Sequence, residues 1–218
     1  MERIPETECM DTREEARDYA AMDHTEANAS FVAFLIEHGC SRGDLLDLGT
    51  GPGAIPMRLV ELCPDVDVTA TDISGEMLKI ARLNVAHAGL SQRIRLMSAD
   101  AKSLPFGDGH FDGVFSNTIL HHVSDPGAFF REARRVLKTA GALVIRDLVR
   151  PTDLARVEAL VAAHAATAND SQRKLFRDSL LAAYTLDEVR AMLADSGLAD
   201  ASMEMTSDRH LTIWIDPR

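Results

Sequence analysis

Hydrophobic and polar positions alternate between two periods along this chain. Short apolar runs fall at 45–48, 67–71, 93–97, 111–116 and 142–147 and predict strands. Between them, apolar residues recur at helical spacing near 53–62, 75–88 and 126–138. Ser74 can cap the second of these helices and Gly89 close it; Ser124 or Asp125 caps the third, with Pro126 in its first turn, where a missing N–H costs nothing. Strands separated by helices imply parallel order and right-handed crossovers. The two ends of the chain differ from this middle. Residues 11–38 read as one helix, capped by Asp11 or Thr12, striped by Phe31, Phe34 and Leu35, and stopped at Gly39. Residues 151–184 are Ala-rich and helical, with Leu154, Val157, Leu160 and Val161 on one face. Thr185-x-x-Glu188 is a capping box for a helix that stops at Gly197. Two last strands, near 200–206 and 210–215, form a hairpin, so one of them is antiparallel to the rest. The expectation is a single α/β domain over 1–218, with an N-terminal helical cap (1–42) and a helical insertion (150–184).

The predicted strands end in polar groups. The first delivers Asp47 into Leu48-Gly-Thr-Gly-Pro-Gly53, with glycines at 49, 51 and 53. A strand that stops at a glycine-rich turn and re-enters as a helix brings backbone N–H groups close to a ligand. A carboxylate at the mouth of that turn repels a pyrophosphate and suits an ammonium or sulfonium. The second strand ends at Asp72, 19 residues after Gly53, near the spacing at which a carboxylate takes ribose hydroxyls in doubly wound folds. The third reaches Asp100 and the fourth Asn117. One crevice lined by Asp47, Asp72, Asp100 and Asn117 is expected beyond the C-terminal strand ends.

The ordered set LDLGTGPG (46–53), TD (71–72), SAD (98–100), LPFGDGHFD (104–112), SNTILHHVSDP (116–126) and RVLKTAGALVIRD (135–147) resembles the class I S-adenosylmethionine-dependent methyltransferases. The resemblance is close over about 43–148 and looser toward the C-terminus. It implies a doubly wound, mostly parallel seven-stranded sheet in the order 3-2-1-4-5-7-6, strand 7 antiparallel, with helices on both faces. It also implies S-adenosyl-L-methionine as cofactor. Asp47, Gly49, Gly51 and Gly53 would then surround its methionine part, and Asp72 its ribose. Ile73 would pack on the adenine, Asp100 would accept from the adenine amine beside the N–H of Ala101, and Asn117 would face the amino end.

Charge narrows the acceptor. A net charge of −11 over 218 residues disfavours nucleic acid, which is bound through clustered Lys and Arg. No apolar run approaches the roughly 20 residues of a membrane span, and the acidic start lacks the features of a signal peptide. Three widely spaced cysteines, Cys9, Cys40 and Cys63, suggest reduced thiols in a cytoplasmic setting. No Cys-x-x-Cys or His-x-x-x-His spacing suggests zinc, so no metal is expected. A small-molecule acceptor is the expected partner.

Methyl transfer is an in-line displacement, so positioning and exclusion of water matter most, and a base is needed only where the acceptor must lose a proton. His121, His122 and Asp147 follow the fourth and fifth strands and are the candidate catalytic groups, with His210 a further possible base. Tyr19 in the N-terminal helix could cover the cleft and face the sulfonium. Adjacent histidines point in different directions, so at most one of His121 and His122 is expected in the cleft. If strand 200–206 runs with the parallel strands, its turn lies on the same edge. Arg146, Arg209 and His210 are then candidates for binding an acceptor's anionic group, with Arg150, Arg173 and Arg177 nearby. The competing reading of these arginines is surface pairing with Asp147, Asp153, Asp178 and Asp208. The N-terminal helix and the insertion would cover the acceptor. The competing functions are a non-catalytic S-adenosylmethionine-binding sensor or partner subunit and a nicotinamide-dependent oxidoreductase; Asp47 and the extra glycine at 53 argue against the latter.

Overall fold

The computed structural model describes residues 1–6 and 12–218; Cys9 and Asp11 lie outside them. Five parallel strands form the centre of the sheet: β1 (Gly43–Leu48), β2 (Val66–Asp72), β3 (Ile94–Ser98), β4 (Phe111–Asn117) and β5 (Leu137–Leu148). A terminal hairpin of β6 (Ser202–Met205) and β7 (His210–Ile215) completes it, β7 running antiparallel to β5, for the order β3-β2-β1-β4-β5-β7-β6. This is the arrangement expected from the sequence. The order reverses between β1 and β4, and this switch point opens the crevice where ligands of such sheets sit.

Both sheet faces are covered, which is why β1, β4 and β5 read as continuous apolar runs. Leu46, Leu48, Phe129 and Phe130 lie in one core, with α5 (Pro126–Val136) and α8 (Leu186–Asp195) against it. Leu45, Phe115, Phe31 and Leu35 lie in the other, with α2 (Thr25–Glu37) and α3 (Ala54–Leu62). The capping residues act as expected: Ser74 for α4 (Gly75–His87), Asp125 for α5 and Thr185 for α8 each accept a first-turn N–H.

Three boundaries differ from the periodic reading. The helix expected over 11–38 is two: α1 (Arg13–Ala20), opened by a Thr12–Glu15 capping box, and α2. The break occurs where the Asp23 carboxylate accepts the Thr25 N–H at 3.0 Å and the Tyr19 ring packs on His24, and α1 packs against α4 and α7. The insertion is also two helices, α6 (Leu154–His164) and α7 (Asp170–Ala182), separated by the Asn169–Gln172 capping box. Their apolar faces and Leu148 make a third, smaller core. Finally, β5 begins at Leu137 rather than 142, because the chain after α5 pairs with Phe111 and then bulges before Ala142 rejoins opposite Gly113. Cys40 and Cys63 are buried free thiols. Among the described residues no helix is long and apolar enough to cross a membrane.

Candidate active site: two joined cavities

The glycine loop lies at the C-terminal end of β1. Gly49 and Thr50 both donate N–H to the Thr71 carbonyl at 2.8 Å, which ties the loop to β2. Gly49 has φ +75°, and a Cβ there would stand 2.4 Å from Ile119, so glycine is required on both counts. Gly53, φ +85°, is the N-cap of α3. The loop is held from outside by Asn84, whose amide donates to the Pro52 carbonyl at 2.9 Å.

In front of the loop is a cleft of about 580 Å³, a size ordinary for a cofactor site. Gly49, Gly51, Asp72, Ile73, Asp100, Ala101 and Asn117 all line it. Asp72 accepts the N–H groups of Gly51 and Ser74, each at 2.8 Å. Burial raises its pKa, against the pull of those N–H groups. Both oxygens are thereby oriented and keep lone-pair capacity toward the cleft. Asp100 accepts the Lys102 N–H at 2.9 Å and pairs with its ammonium at 3.0 Å. Ile73 is one of the few large apolar side chains left exposed, as a face for an aromatic ring requires.

Two expected cofactor residues do not line the cleft. Gly53 faces Ala81 of α4 instead. Asp47 lies beneath the loop, 2% exposed, because alternation along β1 turns its side chain into the body of the protein. Its Oδ2 has no hydrogen-bond partner, and burial, with Asp72 adding, pushes its pKa up to about 7. A buried carboxylate with one oxygen unpartnered under a glycine cradle fits a ligand with a cationic end and not a pyrophosphate.

A second cavity, of about 650 Å³, adjoins the first. Tyr19, Asn117, Thr118 and His122 line both and form the wall between them. Its other surfaces come from α2, the α6–α7 junction, α7 and the β6–β7 turn, so the hairpin turn lies on the site edge as its direction required. The clasp over it is polar: Ser171 donates to the Asp18 carboxylate at 2.7 Å and Gln172 to the Asp18 carbonyl at 3.0 Å, tying α7 to α1. Tyr19 bonds to the Thr118 side chain, and burial raises its pKa. Thr118 has φ +57°, a left-handed conformation that costs about 1–3 kcal/mol in a β-branched residue and is found here at the end of β4.

The two histidines form a one-turn 3-10 helix with Leu120, and both reach the second cavity. Only His122 of the two also lines the first cleft; the tight turn brings their rings to 4.2 Å between centroids. The His121 backbone N–H donates to Asp147 at 2.9 Å, and its Nδ1 lies 2.6 Å from the other carboxylate oxygen. A carboxylate only accepts, so Nδ1 carries a proton and the lone pair of neutral His121 is at Nε2. Burial works against the imidazolium, but Asp147, with Glu6, more than offsets it and raises the His121 pKa.

Glu6 is a site residue that the sequence did not reveal. The N-terminal segment is tied along this wall by Arg3, whose guanidinium donates to the carbonyls of Ala182 at 2.6 Å and His121 at 2.7 Å. Glu6 then stands 3.3 Å from His122 Nδ1 and 3.8 Å from His121 Nε2. Nothing local in Ile4-Pro5-Glu6 links it to residues more than a hundred positions away.

The arginines separate into two groups. Arg150 serves the fold, bonding the Ala183 carbonyl at 3.1 Å and Glu188 at 2.8 Å. Arg173 caps α6 through the carbonyls of Ala165 and Ala166, and Arg177 pairs with Glu158. Arg209 lines the second cavity but pairs with Asp208 at 3.0 Å. Arg146 differs. It lines the cavity at 5% exposure, over the rings of Phe31 and Phe34, with one hydrogen bond, to Thr212 at 3.1 Å. Among the described residues it has no carboxylate partner, and burial lowers its pKa to about 10. His210, also on the cavity wall, is pushed down to about 3 by burial and by Arg209 and Arg146, so it is a neutral hydrogen-bonding group at pH 7.

The family model for the methyltransferase domain matches residues 46–145, the segment that carries the loop, Asp72, Asp100 and the two histidines. Over this segment the chain is similar to the methyltransferase domain. Among its relatives, a malonyl-[acyl-carrier protein] O-methyltransferase of Legionella pneumophila is 38% identical over 104 residues, covering 48% of this chain and 36% of the relative. The 27-O-demethylrifamycin SV methyltransferase of Amycolatopsis mediterranei is 32% identical over 171 residues, covering 78% and 59%. The chain thus spans only about a third to three fifths of these relatives. A crystal structure of an S-adenosylmethionine-dependent methyltransferase from Aquifex aeolicus has the same fold, with TM-score 0.69 and 20% identity over 93% of this chain and 97% of that one.

Proposed function

We propose that this chain transfers the methyl group of S-adenosylmethionine to a small-molecule acceptor that carries an anionic group and binds in the second cavity. The cofactor takes the first cleft, its ribose at Asp72, its adenine against Ile73 near Asp100 and Ala101, and its amino end toward Asn117, with Asp47 supplying negative charge from beneath the loop. The sulfonium then faces the shared wall, where Tyr19 can stabilise it by a cation–π contact. An acceptor beyond that wall meets the methyl group from the side opposite the sulfur, as in-line displacement requires. The whole chain works as one domain: the cap (1–42) and the insertion (150–184) supply the acceptor cavity and exclude water from it. A cytoplasmic setting suits the buried free thiols Cys40 and Cys63.

The observation that carries the anionic acceptor is Arg146, a buried guanidinium facing the cavity without a counter-charge among the described residues. A carboxylate or phosphate there gains a bidentate, charge-assisted pair, and neutral His210 adds a hydrogen bond. The test measures S-adenosylhomocysteine release with acceptor pairs that differ only in a free carboxylate or its amide. Turnover restricted to the carboxylates, and lost in Arg146→Met, supports the reading; equal turnover of both members overturns it.

A further inference from the structure

We propose that Glu6, His121 and His122 hold a divalent transition-metal ion at the end of the acceptor cavity. The inference rests on the second cavity being the acceptor site. One donor atom from each of the three side chains converges, all within 4.8 Å of one another. Tetrahedral ligands about 2.0–2.1 Å from zinc stand about 3.3 Å apart. The Glu6–His122 edge is already 3.3 Å and the Glu6–His121 edge 3.8 Å, while the His121–His122 edge is within 4.8 Å, so a metal requires the two rings to close by up to about 1.5 Å.

A second feature points the same way. His121 is 2% exposed, and its Nε2 has no hydrogen-bond partner, although it is aimed at Glu6. A single proton between two such donors satisfies one pair and leaves the third group facing a lone pair; a cation satisfies all three. Behind the ring, Asp147 fixes Nδ1 and the backbone N–H of the same residue, the carboxylate–histidine arrangement that orients a metal-binding imidazole and raises its basicity. The carboxylates of Glu6 and Asp147 are opposed locally by Arg3, which leaves the group short of positive charge. Glu6 also faces Ser179, Asp178 and Lys174 of α7.

Three protein ligands leave an open position toward the cavity. An acceptor hydroxyl or thiol that enters it loses its proton to solvent at lower pH. The freed lone pair then forms the new bond to the methyl carbon, the carbon–sulfur bond breaks, and its electron pair returns to sulfur, giving S-adenosylhomocysteine. Arg146, on the same cavity wall, holds the acceptor's anionic end.

The experiment titrates Zn²⁺ by calorimetry, and Co²⁺ by visible absorption, into the untagged, chelator-treated 218-residue chain without acceptor or cofactor. The expected result is one equivalent bound, with Co²⁺ bands of low-coordinate nitrogen and oxygen ligation. Affinity should fall at least tenfold in both Glu6→Gln and His122→Ala, while Glu6→Gln keeps the wild-type S-adenosylhomocysteine affinity. No binding up to about 100 μM free metal, or binding unaffected by both substitutions, overturns the site. Metal binding as described, without methyl transfer to any acceptor class, upholds the site and overturns the methyl-transfer reading instead.

Discussion

Replacing Arg146 by Met separates a binding role from a structural one, because the two predict opposite changes in stability. Met keeps most of the aliphatic packing and removes the charge. The fall of the guanidinium pKa from 12.5 to about 10 corresponds to about 3 kcal/mol of unfavourable burial. A basic group with a lowered folded-state pKa carries that cost at every pH below about 10 and loses it only above. Against this gain, the substitution forfeits the Thr212 hydrogen bond, about 1 kcal/mol, and the contacts with Phe31 and Phe34, about 1 kcal/mol together. The balance is a protein unchanged or about 1 kcal/mol more stable, which raises the melting temperature by up to about 2–4 °C in a chain of this size. Acceptor binding should move the other way, since stranding an anion without its buried partner costs about 2–5 kcal/mol. The acceptor KM should therefore rise more than tenfold while S-adenosylhomocysteine affinity stays constant. Thermal unfolding, calorimetry and steady-state kinetics on one preparation suffice. A variant destabilised by more than about 2 kcal/mol would make Arg146 part of the fold's own cohesion and refute the reasoning.

Three other outcomes follow from the geometry. Asp72→Ala should weaken cofactor binding by about 1.5–3 kcal/mol, the scale for hydrogen bonds to a charged group; calorimetry showing unchanged affinity removes Asp72 from the ribose role. In metal-free protein, the raised pKa of His121 gives stabilisation that is complete below about pH 6.5 and is lost as pH rises through its folded-state value. Asp147→Asn should therefore cost more stability at pH 6 than at pH 9 in denaturant titrations, and an equal cost at both pH values contradicts the ion pair. Hydrogen exchange should show protection rising in 13–37 and 154–182 when S-adenosylhomocysteine binds, because α1, α2, α6 and α7 enclose the cavity; no change in either segment sinks the cover.

The placement of the strand tips was legible in the sequence because it is local. Leu45–Gly53, Asp72, Asp100 and Asn117 each sit at the end of an apolar run, and parallel strands align such ends at one edge. Side-chain direction was not legible. Asp47 and Gly53 occupy the right segment but turn away from the cleft, which alternation along a six-residue strand decides only once its register is known. The breaks after Ala20 and His164 were hidden because Asp23 and Asn169 interrupt otherwise unbroken helical composition through their own side-chain bonds. Arg146, Arg150, Arg173 and Arg209 look equivalent along the chain. Only tertiary pairing distinguishes Arg146, which has no counter-charge among the described residues. Glu6 was beyond reach altogether, since its role depends on Arg3 anchoring the segment to Ala182 and His121.

The account is tested most directly by the chemistry of whatever becomes methylated. The protein is incubated with methyl-labelled S-adenosylmethionine and a low-molecular-mass metabolite extract, and the labelled products are separated by anion exchange and mass spectrometry. Label in small molecules retained by the anion exchanger, and abolished there by Arg146→Met, is the predicted result. Label confined to neutral or cationic molecules, to protein or to nucleic acid would contradict it.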